Sequence, residues 1–248
     1  PDLSGREAFA AIDLGWRDDF AAAGLVLPER VPAGGSDEGE SPRDDRQAEP
    51  PRSPLPDPSS PSPFSRTKSK IRSCWVTGKV WVPERGRRDI QAAPLANWIG
   101  QGLVTVTPGN TTDIDAIMDW ILAQAELYQL REVAVDPNNA RQFGQELVAA
   151  GIPTFEFWQS KRNYNEPCRE FEQLVASQQL CHDGNALLAW MMGNVVMEED
   201  ARGYVMPAKN KAAEKIDWPV ALLMAFGRAM FTPIEPDWVY SKRGLILL

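Results

Sequence analysis

The chain has 248 residues, 43% of them hydrophobic, and a formal net charge of −8. That is enough apolar material for one large domain or two small ones, and the acidic balance argues against a module that holds nucleic acid through a basic face alone. No apolar run reaches the ~18 residues that span a bilayer, and no secretory leader opens the chain; the expectation is an excised domain whose natural chain continues upstream.

In chain order, residues 8–14 and 20–27 read as a strand pair. Residues 31–66 hold nine of the 21 prolines, with many Ser, Asp and Arg and almost no large apolar side chains. Such a stretch cannot bury enough surface to offset its chain entropy, so it reads as a disordered or extended insertion in an otherwise single domain, 1–248. It carries three of the eight net negative charges, which leaves the remainder only mildly acidic.

Residues 73–82 alternate apolar and polar side chains as a third strand does. A short helix is expected over 95–100 and a brief strand over 103–107. From Thr111 to Leu130 the apolar residues Ile114, Ile117, Met118, Ile121, Leu122 and Ala125 recur at helical spacing, with Thr111 or Thr112 as N-cap. A strand over 132–135 ends in Asp136-Pro137, with Asn138 or Asn139 as cap of a helix over 138–150 that Gly151 closes. A strand follows over 153–158, then helices over 166–179 and 187–191. Residues 195–197 and 204–206 flank a glycine turn and read as a β-hairpin. A last helix runs from about Ile216 to Met230.

The fold class is therefore α/β, a mixed sheet flanked by helices with a β-hairpin near the C-terminus. A right-handed crossover through the helix at 111–130 sets the Asp136 strand parallel to the Asp13 strand. Ligands bind at the C-terminal strand ends of such sheets.

Three carboxylates stand out. Asp13 directly follows an apolar strand, where an unpaired charge is costly. Asp136 ends a second strand, and Asp217 opens the apolar last helix. Each has an ordinary local reading as a turn or cap residue. Jointly they suit hard divalent cations, which favour oxygen ligands. Asp19, across the turn after the first strand, is a supporting acid. Lys209, Lys211 and Lys215, just before the last helix, are candidate contacts to a DNA backbone.

Cys74, Cys168 and Cys181 have no CxxC spacing, and His182 is the only histidine. This argues for a reducing compartment and against a disulfide framework or a Cys/His zinc site. Cys181-His182 reads as a packed thiol beside a partly exposed imidazole.

The segments AAIDLGWRDDFAAAGLVL, KVWVPE, EVAVDPNNA, NEPCREFEQLVASQQLCHDGNALLAWMMGNVV and KNKAAEKIDWPVALLMAFGRA together resemble the C-terminal nuclease domain of the large terminase subunit of tailed bacteriophages. The resemblance implies an RNase H-like fold and a triad, Asp13, Asp136 and Asp217, that binds two divalent ions, Mg²⁺ or Mn²⁺. It further implies cutting of concatemeric viral DNA in the cytoplasm of an infected cell. The implied partners are double-stranded DNA, an ATPase domain of the same natural chain, the small terminase subunit and the portal protein, with no membrane. His182, Asp183 and Asn185 fall in the matching HDGN segment, in a structural or DNA-adjacent role. No GxxxxGK[ST] phosphate loop occurs, so ATP hydrolysis is not expected of these residues. Two other readings remain open: an RNase H-like resolvase, and a non-catalytic docking module for the portal or small subunit.

Overall fold

The computed structural model of the chain describes residues 2–15, 19–31, 69–86, 94–209, 211–212 and 214–234. Apart from Val31, the expected Pro-rich insertion lies outside the described residues, as does Asp18, the acid next to Asp19.

Strands β1 (Glu7–Leu14), β2 (Ala21–Val31) and β3 (Lys70–Pro83) form an antiparallel meander. β5 (Gln129–Val135) adds to β1 in parallel, and β6 (Thr154–Glu156) adds to β5. The far edge of β3 is shared by two short parallel strands. β4 (Val104–Thr107) pairs with Val80–Pro83, and β7 (Leu180–His182) pairs with Cys74, Trp75 and Val76. The sheet order is β4-β3-β2-β1-β5-β6, with β7 beside β3. The expected parallel pairing of the Asp13 and Asp136 strands is present, and the helix at 114–127 joins β4 to β5 across the sheet.

The central strands are buried on both faces, so β1 and β2 read as nearly continuous apolar runs. Alternation along a strand divides them between two cores. Ala8, Ala10, Ile12 and Leu14 pack with α2 (Ile114–Leu127) and α3 (Arg141–Ala149). Phe9 and Ala11 pack with α4 (Lys161–Ala176), α5 (Ala186–Gly193) and α6 (Asp217–Phe231). α1 (Leu95–Gly100) joins the second core through Leu95 and Trp98. β8 (Met197–Glu199) and β9 (Val205–Pro207) form the expected hairpin.

α6 is buried on every side, including its polar residues Asp217 and Arg228, the pattern of a helix enclosed within a core. Two glycines, paired across β2 and β3, let it lie directly on the sheet. A Cβ at Gly24 would come within 2.6 Å of Leu222 N, and one at Gly78 within 2.2 Å of Trp218 Nε1. At its C-terminal end Arg228 donates to Glu132 Oε1 on β5 at 2.6 Å, stacks over Phe155 at 3.5 Å and reaches Thr232.

Several local expectations change. α2 is capped by Asp113, which accepts from Ala116 N at 2.9 Å, rather than by Thr111 or Thr112. Thr112 instead donates to Gly15 O at 3.3 Å. α3 starts at Arg141 with no side-chain cap, because Asn138 is engaged with Asp136. Gly151 follows the helix at φ 82°, as a C′ glycine does. α4 starts five residues before the expected 166, since Ser160 caps Asn163 N and Pro167 is accommodated inside the helix. β7 was not expected. Three residues carry no periodicity, and the open edge of β3 is what makes them a strand.

Candidate metal centre

β1 and β5 run in parallel with Ile12 opposite Val135. One step further along both strands sets Asp13 beside Asp136, an inter-strand spacing of about 4.8 Å apart in backbone terms. Asp13 has the parity of Phe9 and Ala11, and Asp136 that of Ala134, so both belong to the face that carries α6. Asp217 is the first residue of α6. The three carboxylates are 1%, 5% and 5% exposed, which is rare for acids without compensation.

The compensation differs at each. Asp13 Oδ1 accepts from Gln159 Nε2 at 3.2 Å, and Oδ2 pairs with the Lys209 ammonium. Asp136 Oδ1 accepts from the backbone N–H and the side-chain amide of Asn138, each at 3.1 Å. Asp217 Oδ1 lies 3.3 Å from Lys209 Nζ, while its Oδ2 is buried with no hydrogen-bond partner. Asp217 therefore does not cap its helix: Ile216 occupies the cap position and no side chain caps there. Asp19 accepts from Phe20 N at 2.7 Å and pairs with Lys215 at 2.6 Å, at the half-exposed rim. Lys211 pairs with Glu198 on β8 at 3.2 Å, and Lys161 pairs with the same carboxylate. The three expected DNA-contact lysines are thus each engaged by an acid.

Burial pushes the Asp217 carboxyl up to about 7, with the neighbouring Asp13 charge adding to the rise and Lys209 opposing it. Burial also raises Asp136, against the bond from Asn138 N and with the Asp13 charge. For Lys209, burial works to lower the pKa, but the charges of Asp13 and Asp217 outweigh it and hold the group protonated. Tyr164 is fully buried, with its hydroxyl unpartnered and raised well above the usual phenol range by burial and by the Asp13 charge.

Among the described residues no group of three or more His, Cys, Asp and Glu side chains is disposed to hold a metal ion. What joins Asp13 and Asp217 is the Lys209 ammonium. The residues nevertheless fit a divalent cation. Both carboxylates already face a shared positive charge, the Asp217 Oδ2 lacks any partner, and every donor is a hard oxygen.

Gln159, Asn138 and Tyr164 escaped the sequence reading. Gln159 carried a signal, since it is polar and directly follows the apolar pair Phe157-Trp158 just past β6. Asn138 was read as a cap, and nothing in the sequence marks Tyr164. The HDGN segment builds a turn and a cap. His182 Nδ1 accepts from Gly184 N, Asp183 holds Asn185 N and Thr77, and Asn185 caps α5 through Leu187 N and Leu188 N. Cys181 is exposed rather than packed; the buried thiols are Cys74 and Cys168.

Residues 83–232 match the family described as "Terminase large subunit, endonuclease domain". That range holds Asp136, Lys209 and Asp217, and β1 precedes it. Protein YmfN of Escherichia coli (strain K12) is 31% identical over 164 residues, which is 62% of this chain and 36% of YmfN. The large terminase subunit of Enterobacteria phage HK97 is 28% identical over 154 residues, 60% of this chain and 31% of that protein. The chain thus spans about a third of the length of these curated relatives. The crystal structure of the HK97 large terminase superposes on 92% of this chain and 40% of its own with a TM-score of 0.68 at 22% identity, a likeness of fold. The large terminase nuclease of thermophilic phage G20c with bound magnesium covers 91% of this chain at a TM-score of 0.47 and 12% identity. No helix among the described residues is long and apolar enough to cross a membrane.

Proposed function

The chain belongs to the terminase large subunit endonuclease domain family, and on that premise we propose that it is a metal-dependent DNA endonuclease of RNase H-like fold that cuts concatemeric viral DNA during packaging. The observation that carries this reading is three buried carboxylates, from the ends of two adjacent parallel strands and the start of the helix covering them, with Lys209 bridging two of them. Asp13, Asp136 and Asp217 are the residues to hold two Mg²⁺ or Mn²⁺ ions. Such cations, when bound, activate water and neutralise charge on the scissile phosphate.

The chain's own contribution is positioning. Gln159 fixes one oxygen of Asp13, and Asn138 fixes one of Asp136, so both carboxylates are oriented before substrate arrives. Asp19 supports the rim, and Lys209, Lys211 and Lys215 meet the DNA backbone as point charges. The 248 residues act as one nuclease domain interrupted by the insertion at 31–66. Sequence preference is weak, and an ATPase domain of the same natural chain, the small terminase subunit and the portal direct the cut in the infected cell's cytoplasm.

The test is supercoiled plasmid in Mg²⁺ or Mn²⁺ with wild-type protein, Asp13→Asn and Asp136→Asn. Each substitution is expected to lower cleavage by roughly a hundredfold or more, the equivalent of losing several kcal/mol of metal-based stabilisation. Variants that nick at the wild-type rate, or wild-type cleavage that persists in EDTA, sink the assignment. DNA or portal binding without any cleavage points to a docking module, and preference for four-way junctions points to a resolvase.

A further inference from the structure

We propose that Lys209 is the resident counter-ion of the metal-free centre, and that a divalent cation binds by displacing its ammonium from Asp13 and Asp217. This rests on the metal-centre reading above and adds to it a competition between the chain's own cation and the metal.

The geometry is asymmetric in a way that suits exchange. Asp13 and Asp217 are almost fully buried, whereas the Lys209 side chain is 42% exposed and reaches them from the rim. Its backbone follows β9 in a turn pinned at Ala208. Ala208 N donates to Val196 O at 2.8 Å, and Ala208 O accepts from Lys211 N and Ala212 N. Ala208 itself is 4% exposed. The base of the side chain is therefore fixed, and its four-carbon stem is free to swing without moving the fold.

The ammonium is also an incomplete occupant. It touches Asp13 Oδ2 and Asp217 Oδ1 and leaves Asp217 Oδ2 buried without a partner. A lysine offers three donors on one point charge, whereas a divalent cation takes several oxygens at once and brings twice the charge. Without any cation the charges of the buried acids have only neutral donors, Gln159 and Asn138, to offset them. Lys209 thus keeps the centre folded while it is empty of metal, and once displaced its ammonium is released toward solvent, where a DNA phosphate can take it.

Two measurements test this, neither of them cleavage. Mn²⁺ binding is followed by calorimetry for wild type, Asp13→Asn, Lys209→Met and the charge control Lys161→Met, whose ammonium pairs with Glu198. Acetylation of Lys209 by an amine-reactive ester is followed by peptide mass spectrometry with and without Mn²⁺. Lys209→Met is expected to bind Mn²⁺ about three- to tenfold more tightly, the scale of a partly exposed ion pair no longer being broken, with Lys161→Met close to wild type. Lys209 acetylation in the wild type is expected to rise severalfold with Mn²⁺, while that of Lys79, which lies over Trp81 on the opposite face of the sheet, stays constant. Unchanged or weaker Mn²⁺ binding by Lys209→Met, or acetylation of Lys209 indifferent to Mn²⁺, overturns the displacement but leaves the metal centre standing, provided Asp13→Asn abolishes binding. Absence of Mn²⁺ binding that depends on Asp13 overturns both.

Discussion

Asp217→Asn should make the metal-free protein more stable at alkaline pH and no more stable at acid pH. The folded carboxyl sits at about 7, against 3.8 for an ordinary aspartate. Because the folded state holds this proton more tightly, the group's favourable contribution is complete below 3.8 and is lost as pH climbs through about 7. The gap corresponds to about 4 kcal/mol at 1.36 kcal/mol per pH unit, an upper figure once local relaxation is allowed. Asparagine has the same shape and no charge to bury, so the variant escapes that loss. For a domain of this size each kcal/mol moves the melting temperature by about 2–4 °C. Thermal unfolding in EDTA at pH 4.5, 6, 7 and 8 should therefore show the two proteins closest at the acid end, about 1 kcal/mol apart at pH 4.5, and diverging as pH rises. The variant should lead by several degrees at pH 8. Saturating Mn²⁺ should reverse the order, because only the wild type gains binding free energy from the ion. A difference that is flat with pH, or a variant less stable than wild type at pH 8 in EDTA, would refute the claim that burial of this charge dominates its surroundings.

Two substitutions test how the helix that carries Asp217 is seated. Gly24→Ala puts a Cβ within 2.6–2.8 Å of backbone atoms of Ala221 and Leu222, which cannot rotate away. A loss of about 1–3 kcal/mol is expected from overpacking, together with weaker Mn²⁺ binding as the start of α6 lifts; unchanged melting and unchanged binding would show that the close contact is not a constraint. Arg228→Met leaves the nearly buried Glu132 carboxylate without its guanidinium. That should cost about 3–5 kcal/mol, yet Asp217 lies 11 residues away on the same helix, about 16 Å. Mn²⁺ affinity at a temperature where the variant is folded should stay within about twofold of wild type, and a larger change would mean that the two ends of α6 are coupled.

Much of this was legible in the residues because period-2 alternation and apolar runs are local signals. β1, most of β2 and the extent of α6 all follow from them, whereas the face shared by Asp13 and Asp136 rests on the β1–β5 register. What was not legible depends on contacts between distant segments. Asp113 displaced the threonines as a cap because Thr112 is recruited by Gly15. Asn138 left its expected cap to hold Asp136, whose burial requires a partner. Lys209 read as a surface cation, since only the folded chain shows it inserted between Asp13 and Asp217, residues 196 and eight positions away. The close seating of α6 rests on two glycines that in sequence merely interrupt strands.

These features also explain why Asp217 is tolerated where it stands. A carboxylate in the first turn of a helix gains from the helix dipole, by about 0.3–1 kcal/mol at ordinary sites. That is too little to offset burial beside Asp13, and the orphaned Oδ2 records the shortfall. The rest of the helix supplies the difference. α6 is apolar throughout the turns that follow, is pressed onto Gly24 and Gly78, and is tied at its far end through Arg228 to Glu132. Rigid packing along its length thus holds an unfavourable charge at its start, and a protein that spends stability there gains from any cation that relieves it. The same reasoning separates Asp217 from Asp19, whose half-exposed carboxylate is satisfied by Phe20 N and Lys215 and has no comparable deficit for a metal to remove.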